Sequence, residues 1–168
     1  GLMKSTFFKS LVPNETWFTD TAQTQQKQRL MQLQTNWIVE CAEVETLTTK
    51  AEAGELKALL SSASDNFLPP YGRKMIRADR PSVMVGTCNK DSFLNDATGS
   101  RRFHIIRLLN KPEDKIDFKL VATERDSIWK AAINAYRSGE PNWLNVEAER
   151  LSEEYNADYQ IENPYYSK

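Results

Sequence analysis

A chain of 168 residues has room for one well-packed domain, and its 22 Lys+Arg against 23 Asp+Glu leave no global field of either sign. A uniformly basic nucleic-acid coat is thereby excluded, so any polyanion must be met by a local cluster. No apolar run approaches membrane-spanning length and nothing resembles a signal peptide; a cytoplasmic protein without a membrane partner is expected.

In chain order, the start at Gly1 without an initiator methionine suggests a fragment of something longer. Lys4 to Leu11 reads as a short helix closed by Pro13 and Asn14. The Gln-rich run Ala22 to Gln34 reads as a helix with Leu30 and Leu33 inward, or as a low-complexity loop. Trp37-Ile38-Val39 is a buried strand ending on Glu40. Thr49-x-x-Glu52 matches a capping box for a helix whose stripe is Leu56, Leu59 and Leu60. Phe67 to Arg80, with Pro69, Pro70 and Gly72, reads as a hairpin or excursion loop. Strands are expected over 82–88 and 103–108, and Lys111 to Lys119 reads as a charged linker. Thr123-x-x-Asp126 is expected to cap a helix with Ile128, Trp129, Ala132, Ile133 and Tyr136 on one face, ended by Gly139 and Pro141. A last helix runs from about Val146 to Tyr155, and no internal repeat is present.

Four places carry chemistry. Gly1-Leu-Met-Lys4-Ser5-Thr6 looks like the back half of a phosphate-binding loop, in which backbone amides cradle phosphates, Lys reaches them and a hydroxyl meets magnesium. Met3 stands where the second glycine belongs, so the loop departs from the pattern. Glu40 and Glu43 form an acidic pair at a strand tip, suited to hold magnesium through water and to orient an attacking water; a solvated acidic loop is the plain alternative. The strand Val83 to Val85 delivers Thr87 and Asn89 to its carboxyl end, where Asn89 is either a phosphate sensor or a turn residue. Beyond Asp96 and Gly99, Arg101 and Arg102 suit a phosphate whose charge builds during reaction, or are surface charges.

Arg73, Lys74, Arg77 and Arg80 form the one local basic cluster, either a DNA-contacting hairpin or a solvated loop. His104 and the aromatics Trp129, Trp143, Tyr155, Tyr159, Tyr165 and Tyr166 read as structural. Cys41 and Cys88 lie in apolar runs without metal-type spacing, which points to buried thiols in a reducing compartment.

In their order along nearly the whole chain, these segments resemble the virulence-associated E family. Its members are P-loop ATPases of phages, prophages and mobile islands, often coupled to a primase and related to superfamily 3 helicases. The resemblance runs through Lys4-Ser-Thr-Phe-Phe-Lys-Ser-Leu, Trp17-Phe-Thr-Asp20, Trp37-Ile-Val-Glu40-Cys-Ala-Glu43, Pro70-Tyr-Gly-Arg73, Gly86-Thr-Cys-Asn89, Asp96-x-Thr98-Gly-x-Arg101-Arg102-Phe103 and Arg125-Asp126-x-Ile-Trp129.

It implies a three-layer α/β core of the AAA+ type over residues 1–110, lacking the upstream part of its phosphate loop, and a helical extension over 111–168. It makes Lys4, Ser5 and Thr6 the ATP-binding residues, Ser5 and Glu40 the magnesium ligands, and Glu40 with Glu43 the acidic pair. Asn89 becomes the sensor, and Arg101 or Arg102, with Arg102 slightly favoured, the arginine finger acting on a neighbouring subunit. The expected function is ATP-dependent nucleic-acid remodelling, DNA unwinding in the replication of a mobile element, by a homo-oligomeric ring such as a hexamer. The partners would be single-stranded DNA, held by Arg73, Lys74 and Arg77, and a primase domain. This fragment by itself is expected to be inactive. Two rival readings are a regulatory ATPase switch acting on a protein and a non-hydrolysing DNA-binding or assembly module.

Overall fold

A computed structural model describes residues 3–21, 26–42, 50–94, 102–108 and 116–161. The chain is mixed α/β, as expected, and divides into two compact units.

The first unit takes in Gly1–Ala42, Ala63–Thr87 and Leu108–Glu140. Helix α1, Lys4–Leu11, stops where Val12 turns extended, the conformation that a following proline imposes. A 3-10 turn at Glu15–Trp17, capped by the Asn14 side chain, feeds β1, Phe18–Thr19. Helix α2, Gln26–Thr35, buries Leu33 and leads into β2, Ile38–Ala42. The hairpin β3, Ser64–Phe67, and β4, Ile76–Asp79, pairs antiparallel with Ser64 opposite Asp79, and β5 follows at Val83–Thr87. The sheet has the order β1-β2-β5, and its pairs are parallel, with Glu40 opposite Val85 and Ala42 opposite Thr87. Ile38, Val39 and Glu40 are all buried, as befits a central parallel strand covered on both faces.

Helix α4, Phe118–Arg137, packs on α1. The Trp129 indole donates to the Leu11 carbonyl at 2.7 Å, and an Arg125 N–H donates to the Val12 carbonyl at 3.4 Å, so the open carbonyl end of α1 is met by α4. Trp129 also meets Trp37 edge-on, and Trp37 stacks on Trp17 with centroids 4.3 Å apart.

The second unit takes in Glu43–Ser62, Cys88–Arg107 and Pro141–Lys168. It holds α3, Lys50–Ser61, and α5, Val146–Ala157. Leu94 is buried and pairs with Gln160, and Phe93 lies against Tyr159, which packs on Tyr155. Asn156, fully buried, donates to the Phe103 carbonyl at 2.9 Å.

Four expectations are corrected. The strand of Glu40 does not end there but runs on to Ala42, so the carboxylate lies inside the ladder. Residues 103–108 form no strand; an apolar run also suits an irregular segment, and here Asn156 takes the Phe103 carbonyl that a neighbouring strand would have taken. Helix α4 is capped by Asp117, whose carboxylate accepts from the amides of Lys119 and Leu120, and Thr123 lies inside the helix, bonded to the Lys119 carbonyl. The covered side of α4 is the Val121, Arg125, Trp129 row at helical spacing, while Ile128, Ala132, Ile133 and Tyr136 are exposed.

The helix at Lys4–Leu11, the inward Leu33, the stripe of Leu56, Leu59 and Leu60 on α3, β5 and α5 are found where expected, and of the two readings of Phe67 to Arg80 the hairpin holds, its first strand starting earlier, at Ser64. The capping box begins at Thr49, outside the described residues.

Candidate functional site

The site begins with a backbone angle. Met3, at the entrance to α1, has φ 55° and ψ 37°, a left-handed conformation that costs a non-glycine residue roughly 1–2 kcal/mol. Met3 thus departs from the phosphate-loop pattern in its side chain while keeping the turn that glycine adopts easily. Its own side chain caps none of the leading amides of α1. Amides there point along the helix axis toward the positive end of its dipole, an arrangement suited to phosphate.

Beside this helix start lies Glu40, almost wholly buried at 1% exposure. Its Oε1 accepts from the Ser5 hydroxyl at 2.7 Å and from the Thr87 hydroxyl at 2.8 Å. Its Oε2 is buried and has no hydrogen-bond partner among the described residues. An unsatisfied buried carboxylate oxygen costs on the order of 1–3 kcal/mol or more, so its retention calls for a purpose. Three elements converge to build the cluster: α1 supplies Ser5, β2 supplies Glu40, and β5 supplies Thr87. Strand alternation explains Thr87, because Val85 faces Glu40 across the ladder and residues two apart share a face. Thr87 had no assigned role in the sequence; only its place at the strand's carboxyl end could have marked it.

The remaining site residues are distributed as follows. Glu43 and Arg101 lie outside the described residues. Asn89 is exposed just past β5, in the second unit, as is His104 further on. Arg102, half-buried in that unit, donates from Nε to the Ser61 hydroxyl at 2.7 Å. Arg73 and Lys74 are exposed on the hairpin connection, next to a fully exposed Tyr71, and Arg77 is exposed on β4 with Nε bonded to Ser64 at 3.0 Å. Arg80 does not belong with them. Its side chain is 7% exposed and forms an ion pair at 2.5 Å with Asp65, which also accepts from Gln34 at 3.2 Å.

Cys41 neighbours Glu40 on β2 and is half-buried rather than buried. Burial pushes its thiol above the ordinary value of 9.0; Arg29 opposes this and the Glu40 charge adds to it. The thiol therefore stays protonated near neutrality and is no nucleophile. Cys41 is expected to resist iodoacetamide in the native protein at pH 7.5 and to react once guanidinium unfolds it, as followed by mass spectrometry of the Cys41 peptide. Fast native alkylation at that position would contradict the assignment.

Among the described residues no group of three or more His, Cys, Asp or Glu is placed to hold a metal by itself, and no helix is long and apolar enough to cross a membrane. No curated protein matches the chain. The family model of the virulence-associated protein E-like domain, in contrast, matches residues 1–161. That match spans the helix start at Lys4, the buried Glu40 and the strand that ends on Thr87, and on it the chain belongs to the virulence-associated protein E-like family.

Proposed function

We propose that this chain is the nucleotide-binding part of an ATP-driven machine acting on nucleic acid in a phage or mobile element. Family membership supports the mobile-element association. The observation that carries the nucleotide reading is the Glu40 cluster: a buried carboxylate with one oxygen tied to Ser5 and Thr87 and the other unpartnered, next to the start of a helix.

These residues fit magnesium. The ion takes oxygen donors and keeps several waters, which suits an unpartnered carboxylate oxygen beside a hydroxyl. Ser5 and Glu40 would hold it, and when bound it would neutralise charge on the β- and γ-phosphate oxygens. Lys4 places its ammonium on the same phosphates, and the amides of Lys4, Ser5 and Thr6 receive their oxygens. On the family resemblance, Glu43 orients the water that attacks the γ-phosphorus as the bond to the bridging oxygen breaks and ADP leaves. Asn89 senses the γ-phosphate, and an arginine from a neighbouring subunit stabilises the charge that develops. A ring supplies that neighbour.

The exposed hairpin cations Arg73, Lys74 and Arg77 are the surface offered to a DNA backbone. They favour a DNA-acting machine over a switch on a protein partner.

The test is single-stranded-DNA-stimulated ATP turnover by the full-length protein. Lys4→Ala is expected to abolish turnover. Reversing charge at Arg73, Lys74 and Arg77 together is expected to remove the DNA stimulation, to flatten the salt dependence of DNA binding and to leave basal turnover in place. Turnover that survives Lys4→Ala would sink the nucleotide reading. Stimulation that survives the charge reversal would return the hairpin to a solvated loop.

A further inference from the structure

We propose that Thr87 is a positioning residue that, together with Ser5, locks the Glu40 carboxylate, so that Oε2 stays aimed at one place while Ser5 also meets a ligand. The inference rests on reading this cluster as a magnesium–nucleotide site.

Both hydroxyls on Oε1 come from residues of the same unit, but their settings differ. Ser5 is exposed at the first turn of α1, where its oxygen is within reach of an incoming ligand. A serine oxygen meets a cation through a lone pair and keeps its O–H as a donor, so Ser5 can serve a ligand and Oε1 together, though from an exposed helix turn. Thr87 is half-buried at the end of β5, and its backbone is pinned in the ladder opposite Ala42. Threonine is stiff at χ1 because its Cβ is branched, so the hydroxyl points where the strand puts it. Glu40 is buried but carries three side-chain torsions, the last of them soft, and a single donor from an exposed helix start would leave the carboxylate room to swing. The 2.8 Å bond from Thr87 removes that freedom, leaving Oε2 as a preorganised acceptor. Thr87 touches neither phosphate nor cation in this arrangement; it acts through Glu40.

The experiment uses the full-length protein and two readouts. The first is affinity for a fluorescent ATP analogue in EDTA and in magnesium chloride, whose ratio gives the gain that magnesium supplies. The second is magnesium-dependent turnover. Thr87→Val keeps shape and loses the hydroxyl. It is expected to leave the EDTA affinity within about twofold, to reduce the magnesium gain by about tenfold and to lower kcat by at least as much, the scale of one lost hydrogen bond to a charged group. Thr87→Ser is expected to restore both. Thr87→Ala tests the same loss should valine unfold the strand end.

A normal magnesium gain in both Thr87→Val and Thr87→Ala overturns the proposal while the site reading stands. An equal defect in Thr87→Ser and Thr87→Val also overturns it, because packing of the methyl would then explain the effect. A wild type whose affinity ignores magnesium, or a Glu40→Gln variant with an unchanged gain, overturns the site reading and the role of Thr87 with it.

Discussion

Arg80→Ala is expected to destabilise the protein by about 3–5 kcal/mol, because it leaves the buried Asp65 charge without its cation. At this chain length each kcal/mol moves the melting temperature by about 2–4 °C, so the fall should be on the order of 10 °C. The two side chains are only 7% and 3% exposed, and the guanidinium grips the carboxylate through Nε at 3.1 Å and Nη2 at 2.5 Å. Burial pushes the Asp65 carboxyl up, but hydrogen bonds from Arg80 and Gln34, with the Arg80 charge, more than offset this and hold it below the ordinary 3.8. A folded-state value below the unfolded one contributes stability that is present above about pH 4 and is lost as pH falls through the folded value. The gap between wild type and Arg80→Ala is therefore widest near pH 7 and narrows in acid, where the abandoned carboxyl is protonated. Replacing both partners at once, Asp65→Leu with Arg80→Met, should cost less than Arg80→Ala. Thermal melts by circular dichroism at pH 7 and pH 3 decide the matter. A gap that does not change with pH would remove the ion pair as the cause.

The second large effect concerns the arginine pair. On the proposed function, Arg101→Ala is expected to lower turnover by about 10³–10⁵ while ATP binding persists, the scale of an arginine finger. Arg102, although the pattern slightly favoured it as the finger, has its Nε engaged by Ser61 of its own chain, and Arg102→Ala should cost stability instead. Mixing the Arg101→Ala and Lys4→Ala proteins should recover part of the activity, since some interfaces then pair an intact loop with an intact arginine. Wild-type turnover in Arg101→Ala would exclude it as the finger. No recovery in rings shown to exchange subunits would place the arginine in cis.

The elements legible in the sequence were those written in local chemistry. Pro13 stops α1, the Pro-Pro-Tyr-Gly run turns the hairpin, and a short apolar run becomes β5. What was misread depends on distant partners. The row of α4 that meets α1 includes Arg125, whose charge breaks the apolar stripe; a purely hydrophobic pattern therefore rotated the helix toward Ile128 and Ile133. Arg80 looked like one more base of the hairpin cluster, but it is held by Asp65, which Gln34 in turn holds from α2. At the site, Ser5 and Glu40 were named from their motifs, and the structure brings them together. Thr87 escaped assignment because its meaning lies in a register, two residues past the partner of Glu40, and one strand's letters do not carry a register.

The join between α1 and α4 bears on how force travels through the first unit. Eight helical residues span about 12 Å and are stiff over that length. At one end of this rod are the amides of Lys4 to Thr6; at the other, the Leu11 carbonyl is bolted to the Trp129 indole. A pull on the first end is delivered to the second with little lost in bending, and from there to a helix of 20 residues. The bolt is itself an indole lying against Trp37, so the protein carries a native optical gauge at the joint where such a pull arrives.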